Sequence, residues 1–195
     1  MIIPARIEAA EKFGAALHQL INGVEMAQTE RNRAAGAAFA IAQDHQCAIV
    51  LLMGHTLYSS SFALLRCLFE AYLRGLWLRH CATDSQVTAC FRGDEPPKTM
   101  IADIEAIPTF GSGVLSSFKR VAWQTMCDFT HTGGLHLHRW QAPDAIEPNF
   151  QAAELEECLN LAELYGAMSA LEMAQMAESG DDGAAVFELI RKRWP

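Results

Sequence analysis

The residues best suited to chemistry lie on one apolar stretch, SSSFALLRCLFEAYLRGLWLRHC, from Ser59 to Cys81. Arg66, Glu70 and Arg74 recur in it at four-residue spacing, so on a helix they share one side within a sector of about 80°. An arginine can hold phosphate oxygens with its fork of N–H donors, and a carboxylate can orient a histidine. We call these three residues the charged stripe. It predicts a cleft for a phosphate-bearing ligand.

Two histidines are candidates for moving a proton near neutral pH: His80, at the end of the same stretch, and His131, in FTHTGG. Five residues separate Arg74 from His80, and on an ideal helix these two side chains are about 120° apart. They could share a site only at a distorted helix end or across a dimer interface. The candidate catalytic residues are therefore Arg74, His80 and His131, and the candidate ligand-binding residues are Arg66, Glu70 and Asp128.

The charged stripe has a second interpretation that needs no ligand. Glu70 lies one turn from Arg66 and one turn from Arg74, so it could pair with either arginine inside a helical bundle. An ionised group that is buried without a partner costs several kcal/mol, and such pairing removes this cost. On this alternative the protein is a non-enzymatic helical module for dimerisation or interaction.

A metal centre is the third hypothesis for this region. Asp128 and His131 would share a helix face at positions i and i+3, and two further histidines follow on the adjoining segment. The spacing HxxxxHxH is not a standard ligand pattern, so we expect ordinary cap and loop histidines and no cofactor. The four residues of this alternative are Asp128, His131, His136 and His138.

Length and composition predict one helical domain over residues 1–195. The 195 residues are 51% hydrophobic, which is enough to bury one substantial core. The start, MIIPARIEAAEKFGAA, lacks a basic segment followed by an apolar one. We therefore expect a cytoplasmic protein that does not span a membrane. The six cysteines form no CxxC pair and predict reduced, buried thiols.

The charge is unevenly distributed along the chain. Between Trp140 and Ile190 there are eleven Asp or Glu residues and no Lys or Arg. From Ser59 to Arg139 the chain has eight basic and seven acidic residues. The net charge of −8 argues against tight non-specific DNA binding, which depends on neutralising phosphates. Any anion site is therefore local.

Apolar residues recur at helical spacing along most of the chain, and no long stretch alternates between apolar and polar residues as a strand would. The predicted architecture is all-α, a bundle of about five long and two or three short helices. The long helices are expected at about 4–26, 34–58, 59–81, 114–131 and 151–179, and the short ones at about 84–93, 98–107 and 182–193. Ser59 to Ser61 and Asp84 are expected to cap two of them. Small residues at Gly75, and at Ala162, Gly166 and Ser169, predict close contacts between helices.

Two stretches, FALLRCLFEAYLRGLWL and W-x5-FTHTGGLHLHR, resemble those of uncharacterised bacterial helical proteins of the HEPN-like class. The resemblance covers roughly residues 45–139. It implies a HEPN-like bundle that forms a homodimer and binds RNA or a nucleotide. It also implies metal-independent ribonuclease activity in a toxin–antitoxin or defence setting, with an antitoxin-like protein partner. The spacing of Arg74 and His80 matches the Arg, four to six residues, then His of that class, although Gly75 replaces the usual polar residue after the arginine.

Overall fold

The computed structural model describes residues 4–177 and 182–194, and helices dominate both ranges. In chain order the elements are α1 (Pro4–Ile21), α2 (Glu30–Gly54), α3 (Tyr58–His80), α4 (Asp84–Phe91), α5 (Met100–Glu105), a 3₁₀ turn (Pro108–Phe110), α6 (Val114–Thr130), α7 (Gly134–His138), β1 (Gln141–Ala142), β2 (Ala145–Ile146), α8 (Ala152–Gln175) and α9 (Asp182–Arg193). The all-α prediction and the five long helices are confirmed. The described ranges hold four shorter helices, where two or three were expected.

The connection after α6 is more regular than the sequence predicted. It contains the short helix α7 and a small antiparallel hairpin, in which Gln141 lies opposite Ile146 and Ala142 opposite Ala145. The hairpin is too short to alter the all-α class. Two residues per strand are too few to produce a visible alternation, and only the turn at Pro143 and Asp144 marks the hairpin in the sequence.

Caps set the helix boundaries, and two predicted caps were wrong. The α3 N-cap is Leu57, without a side-chain bond, and the Ser61 hydroxyl instead donates to the Leu57 carbonyl at 3.2 Å. Thr83, not Asp84, caps α4 in a capping box with Gln86. Likewise α2 begins a turn earlier than expected, because the Thr29 hydroxyl accepts from the backbone N–H of Asn32 at 3.1 Å.

Helix α3 lies inside the bundle, as its apolar sides predicted. It packs against α2, α5, α6 and α8, and its Leu68, Phe69 and Leu76 are fully buried. Gly75 meets α2 closely: a Cβ atom at this position would lie 2.4 Å from Cε1 of Phe39. The missing side chain is therefore what lets α2 and α3 approach.

Helix α8 is a second interior helix, in contact with α1, α2, α3 and α9. Its small residues Ala162, Gly166 and Ser169 are all buried within the chain. A Cβ atom on Gly166 would lie 2.6 Å from Cγ of Gln46 on α2. The small-residue seam therefore makes an internal contact, which excludes it as the surface between two subunits.

The six cysteines are free thiols, but they are less buried than predicted. Only Cys158 is fully buried, and Cys47 is exposed. Burial raises the pKa of the Cys158 thiol. Burial and the nearby carboxylate of Asp44 raise the pKa of the Cys47 thiol. Neither shift favours the reactive thiolate, so a structural role fits these two cysteines.

By length and composition alone, α2 is apolar enough to cross a membrane. Half of its most apolar window is buried in the bundle, as in a core helix of a globular protein. This is weak evidence for a membrane span.

Candidate functional site

Arg66 is the member of the charged stripe that contacts α6. Arg66 Nε donates to Glu70 Oε1 at 3.0 Å. The Arg66 side chain is 21% exposed and that of Glu70 is 44% exposed. The pair predicted between neighbouring turns therefore exists, but solvent reaches it.

His131 is the C-cap residue of α6, and its side chain lies beside this pair. Its Nε2 lies 2.7 Å from Nη1 of Arg66. A guanidinium can only donate, so a hydrogen bond here uses the Nε2 lone pair of His131 as its acceptor. The same Arg66 nitrogen donates to Cys127 Sγ at 3.6 Å. The fold thus brings together Arg66, Glu70 and His131, which are three of the candidate site residues predicted from the sequence.

Trp123 connects this group to a cleft between α5 and α6. The Arg66 guanidinium and the Lys119 ammonium each lie 4.8 Å from the centre of the Trp123 ring. Lys119 precedes Trp123 by one turn of α6, which places both side chains on the same face. The indole therefore holds two cations in position by cation–π contacts.

The cleft has a volume of about 580 Å³, and three of the four charged residues that line it are cationic. Lys98, Lys119 and Arg120 line it, and none of them forms an ion pair with a residue that the structure describes. The acidic residue in the lining is Glu105, and its Oε1 already accepts from the backbone N–H of Ser116 at 2.9 Å. We call this cavity, which Trp123 also lines, the α5–α6 cleft.

The structure gives Arg74 and His80 separate surroundings. Arg74 is exposed and forms no ion pair within the described ranges. His80 Nε2 lies 2.9 Å from Glu172 Oε2 on α8, and Arg79 donates to the same oxygen at 2.5 Å. Helix α3 stays regular through His80, so the distorted helix end that could join Arg74 to His80 is not formed.

The four residues of the metal hypothesis do not converge. Asp128 is used locally: its Oδ1 accepts from Gln124 Nε2 at 3.0 Å, and its Oδ2 accepts from the backbone N–H of Leu135 at 3.3 Å. The His136 ring packs on Phe129 at 5.2 Å between centroids. His138 is exposed at the end of α7. Among the residues described, no group of three or more His, Cys, Asp or Glu side chains is placed to hold a metal ion.

Buried carboxylates on α8 were missed by the sequence analysis. Glu163 is fully buried, and its two oxygens accept from Arg6 of α1 at 3.0 and 2.9 Å and from Arg193 of α9 at 2.9 to 3.3 Å. Burial lowers the pKa of Arg6, but its bonds to Glu163 and Glu156 raise it more, so the net shift is upward. Much of the acidic C-terminal third thus holds the bundle together.

The cleft residues were also missed, although the sequence contains a signal for them. Lys119, Arg120 and Trp123 lie within FKRVAW, where a lysine precedes a tryptophan by four residues on the amphipathic α6. Lys98 lies 21 residues before Lys119 in the sequence. Only the packing of α5 against α6 brings it to the same cavity.

The model of DUF6988, described as a family of unknown function, matches residues 39–192. This range runs from the middle of α2 into α9 and includes the whole α5–α6 cleft. No curated protein and no solved structure matches the chain.

Proposed function

The chain belongs to the DUF6988 family of unknown function, and we propose from its side chains that it binds a phosphate-bearing molecule, RNA or a nucleotide, in the α5–α6 cleft. One observation carries the proposal. Lys98, Lys119 and Arg120 converge on a cavity of about 580 Å³ without anionic partners among the described residues. Unpaired cations around a concave surface attract an anion of matching size.

The side chains that line the cleft would contact different parts of a phosphate-bearing ligand. Arg120 can hold a phosphate with a fork of donors, while Lys98 and Lys119 supply point charges. Trp123 adds an aromatic surface to the lining, and proteins that bind single-stranded nucleic acid commonly combine such surfaces with basic grooves. The Arg66 guanidinium lies 4.8 Å from the centre of the Trp123 ring and contacts His131.

Metal-independent cleavage of RNA is the second candidate function, and the Arg66–His131 contact favours it. A phosphate that takes the donors of Arg66 would free the Nε2 lone pair of His131. This nitrogen could then accept the proton of a 2′-hydroxyl as its oxygen attacks the adjacent phosphorus. The bond from phosphorus to the 5′-oxygen breaks, and that oxygen takes a proton from water to leave as a hydroxyl. The HEPN-like class and an antitoxin-like partner, both implied by the resemblance, belong to this version of the proposal.

A non-enzymatic interaction module is the competing function. The Arg66–Glu70 pair supports it, because a pair satisfied within α3 needs no ligand. The unpaired cations of the α5–α6 cleft have no role in that version. They are therefore the residues to substitute in a test.

Ligand binding is tested by the fluorescence anisotropy of a labelled single-stranded RNA, with unlabelled ATP as competitor. Arg120→Gln should weaken binding about tenfold or more, since a hydrogen bond to a charged group contributes about 1.5–3 kcal/mol. Arg92→Gln is the matched control, because Arg92 is also exposed and lacks an ion pair in the described ranges. Equal RNA affinities for wild type, Arg120→Gln and Arg92→Gln would refute the proposal that the ligand binds in the α5–α6 cleft.

Cleavage is tested on the same RNA in excess EDTA. His131→Ala should abolish cleavage while anisotropy shows RNA binding largely intact, because proton transfer is lost and the cations stay. His138→Ala is the control on the neighbouring exposed histidine, and His80→Ala should have no effect beyond stability. Cleavage that survives His131→Ala, or that needs a divalent metal, would contradict the mechanism.

A further inference from the structure

Two adjoining cavities lie between α1 and α2. The larger has a volume of about 530 Å³ and the smaller a volume of about 370 Å³. Because His18, Asp44 and Cys47 line both cavities, the two form one continuous space, which we call the α1–α2 groove. The groove and the α5–α6 cleft have no lining residue in common. A ligand of the groove is therefore a separate question from the proposed function, and the two proposals can fail independently.

Small side chains leave the larger cavity unfilled. Helix α1 contributes Ala10, Gly14 and Ala15 to its lining, and α2 contributes Ala48. The two helices touch at Gly14, where a Cβ atom would lie 2.9 Å from Nε2 of the buried Gln46. Methyl groups around this contact cannot fill the space between the helices, so the groove is a product of the local sequence.

The charged residues that line the groove are acidic. Glu11 lines the larger cavity and Asp44 lines both, and neither carboxylate forms an ion pair with a described residue. Among the described residues that line the two cavities there is no Lys or Arg. His18 lies in the lining with an exposed side chain and forms no ion pair within the described ranges. The groove therefore attracts cations and repels anions.

An acceptor without a partner belongs to the residue that precedes Asp44. Gln43 lines the smaller cavity and is 7% exposed. Its Nε2 donates to the carbonyl of Gly166, whereas its Oε1 is buried and accepts no hydrogen bond from a described residue. A buried acceptor that lacks a donor destabilises the fold. A ligand that brings N–H donors into the smaller cavity would supply what this oxygen lacks.

We propose that the α1–α2 groove binds an aliphatic primary amine in its protonated form, with the ammonium group at Asp44 and the hydrocarbon chain in the larger cavity. An ammonium carries three N–H donors and no acceptor, which suits the carboxylate of Asp44 and the free acceptor of Gln43. The positive charge matches the acidic lining of the groove.

The apolar residues of the larger cavity fit the hydrocarbon chain. Val50 and Leu51 line it beside the alanines, and Leu51 is 58% exposed. Leu51 lies seven residues beyond Asp44, about 10 Å along the helix axis, and an extended chain of about eight carbons has this length. A chain that lies along this path removes Leu51 from water, which favours binding.

Isothermal titration calorimetry with octylamine tests the proposal, with octanol and octanoate as probes of the same chain length. Octylamine should bind the wild-type protein at one site, about fivefold or more tightly than octanol, since only the amine offers a positive charge to Asp44. Octanoate should not bind, because the carboxylates of the groove repel it. Absence of octylamine binding up to about 1 mM ligand, or octanol bound as tightly as octylamine, would overturn the proposal.

Two variants assign the binding to the groove. Asp44→Asn should weaken octylamine binding about fivefold or more and leave octanol binding unchanged, because it removes the charge and keeps the apolar walls. Asp94→Asn is the matched control, since Asp94 is also exposed, lies outside the groove and forms no ion pair with a described residue.

Ala15→Trp places a large side chain into the larger cavity from an exposed position of α1, so it should weaken the binding of octylamine and octanol alike. Circular dichroism of each variant checks that the helices are intact. Octylamine affinity that is equal in Asp44→Asn and Asp94→Asn, or that is unchanged in Ala15→Trp, would contradict the proposed site.

Discussion

Glu70 and Glu163 both bind arginine, but their different exposure to solvent makes the two interactions contribute differently to stability. The Glu70 side chain is 44% exposed, and its single partner Arg66 is also in reach of water. Glu163 is completely buried between Arg6 and Arg193. Water screens the first interaction and cannot replace the second. Solvent therefore reaches the Arg66–Glu70 pair, while Glu163 is enclosed in the bundle.

The two glutamates give a matched prediction for stability. Glu163→Gln should lower the free energy of unfolding by about 3–5 kcal/mol, because it leaves two arginines near a buried neutral group. Glu70→Gln makes the same chemical change and should cost no more than about 1 kcal/mol. Urea denaturation followed by circular dichroism measures both. Equal losses would mean that the stripe is sealed in the core.

At the scale of elements, the α2–α3 contact depends on the absence of one side chain. Phe39 is fully buried, so its ring has no free space to enter when Gly75 gains a Cβ atom. Close-packed interiors transmit such a conflict to the backbone. Helix α3 would have to move away from α2, and the stripe on its other side would move with it.

Gly75→Ala should therefore lower the free energy of unfolding by about 1–3 kcal/mol, the usual cost of overpacking, and Gly75→Leu by more. Gly134→Ala is the control, since nothing lies within 4 Å of its Cβ position, and it should change stability by no more than about 0.5 kcal/mol. Thermal denaturation of the three variants provides the comparison. A Gly75→Ala protein as stable as Gly134→Ala would show that the two helices can separate at little cost.

For the whole molecule, the net charge of −8 is a poor guide to the surface. Several acidic residues of the C-terminal third are bound by cations from other elements: Glu154 by Arg139, Glu156 by Arg6, Glu163 by Arg6 and Arg193, and Glu172 by Arg79 and His80. These interactions connect α1, α3, α9 and the α7 end to α8. The basic residues in these pairs are neutralised by glutamates of the same chain, whereas the basic residues that line the α5–α6 cleft form no ion pair with a described residue. This division supports the local anion site that we propose for the α5–α6 cleft.

The sequence by itself determined the helical class, the five long helices, the interior position of α3 and the close contact at Gly75. Each depends on local periodicity or on a residue that lacks a side chain, and both are visible in one stretch of chain. The sequence also identified Arg66, Glu70 and His131, although it could not choose among their partners.

The tertiary structure alone decided which candidates meet. The spacing of residues on one helix fixes the angles between their side chains, but it does not show which other helix they face. Only the packing of α6 on α3 shows that Arg66, rather than Arg74, reaches His131. His80 is bound by Glu172, which lies 92 residues further along the chain. Lys98 joins Lys119 and Arg120 only because α5 packs on α6. Such contacts depend on the packing of distant elements, and no local pattern encodes them.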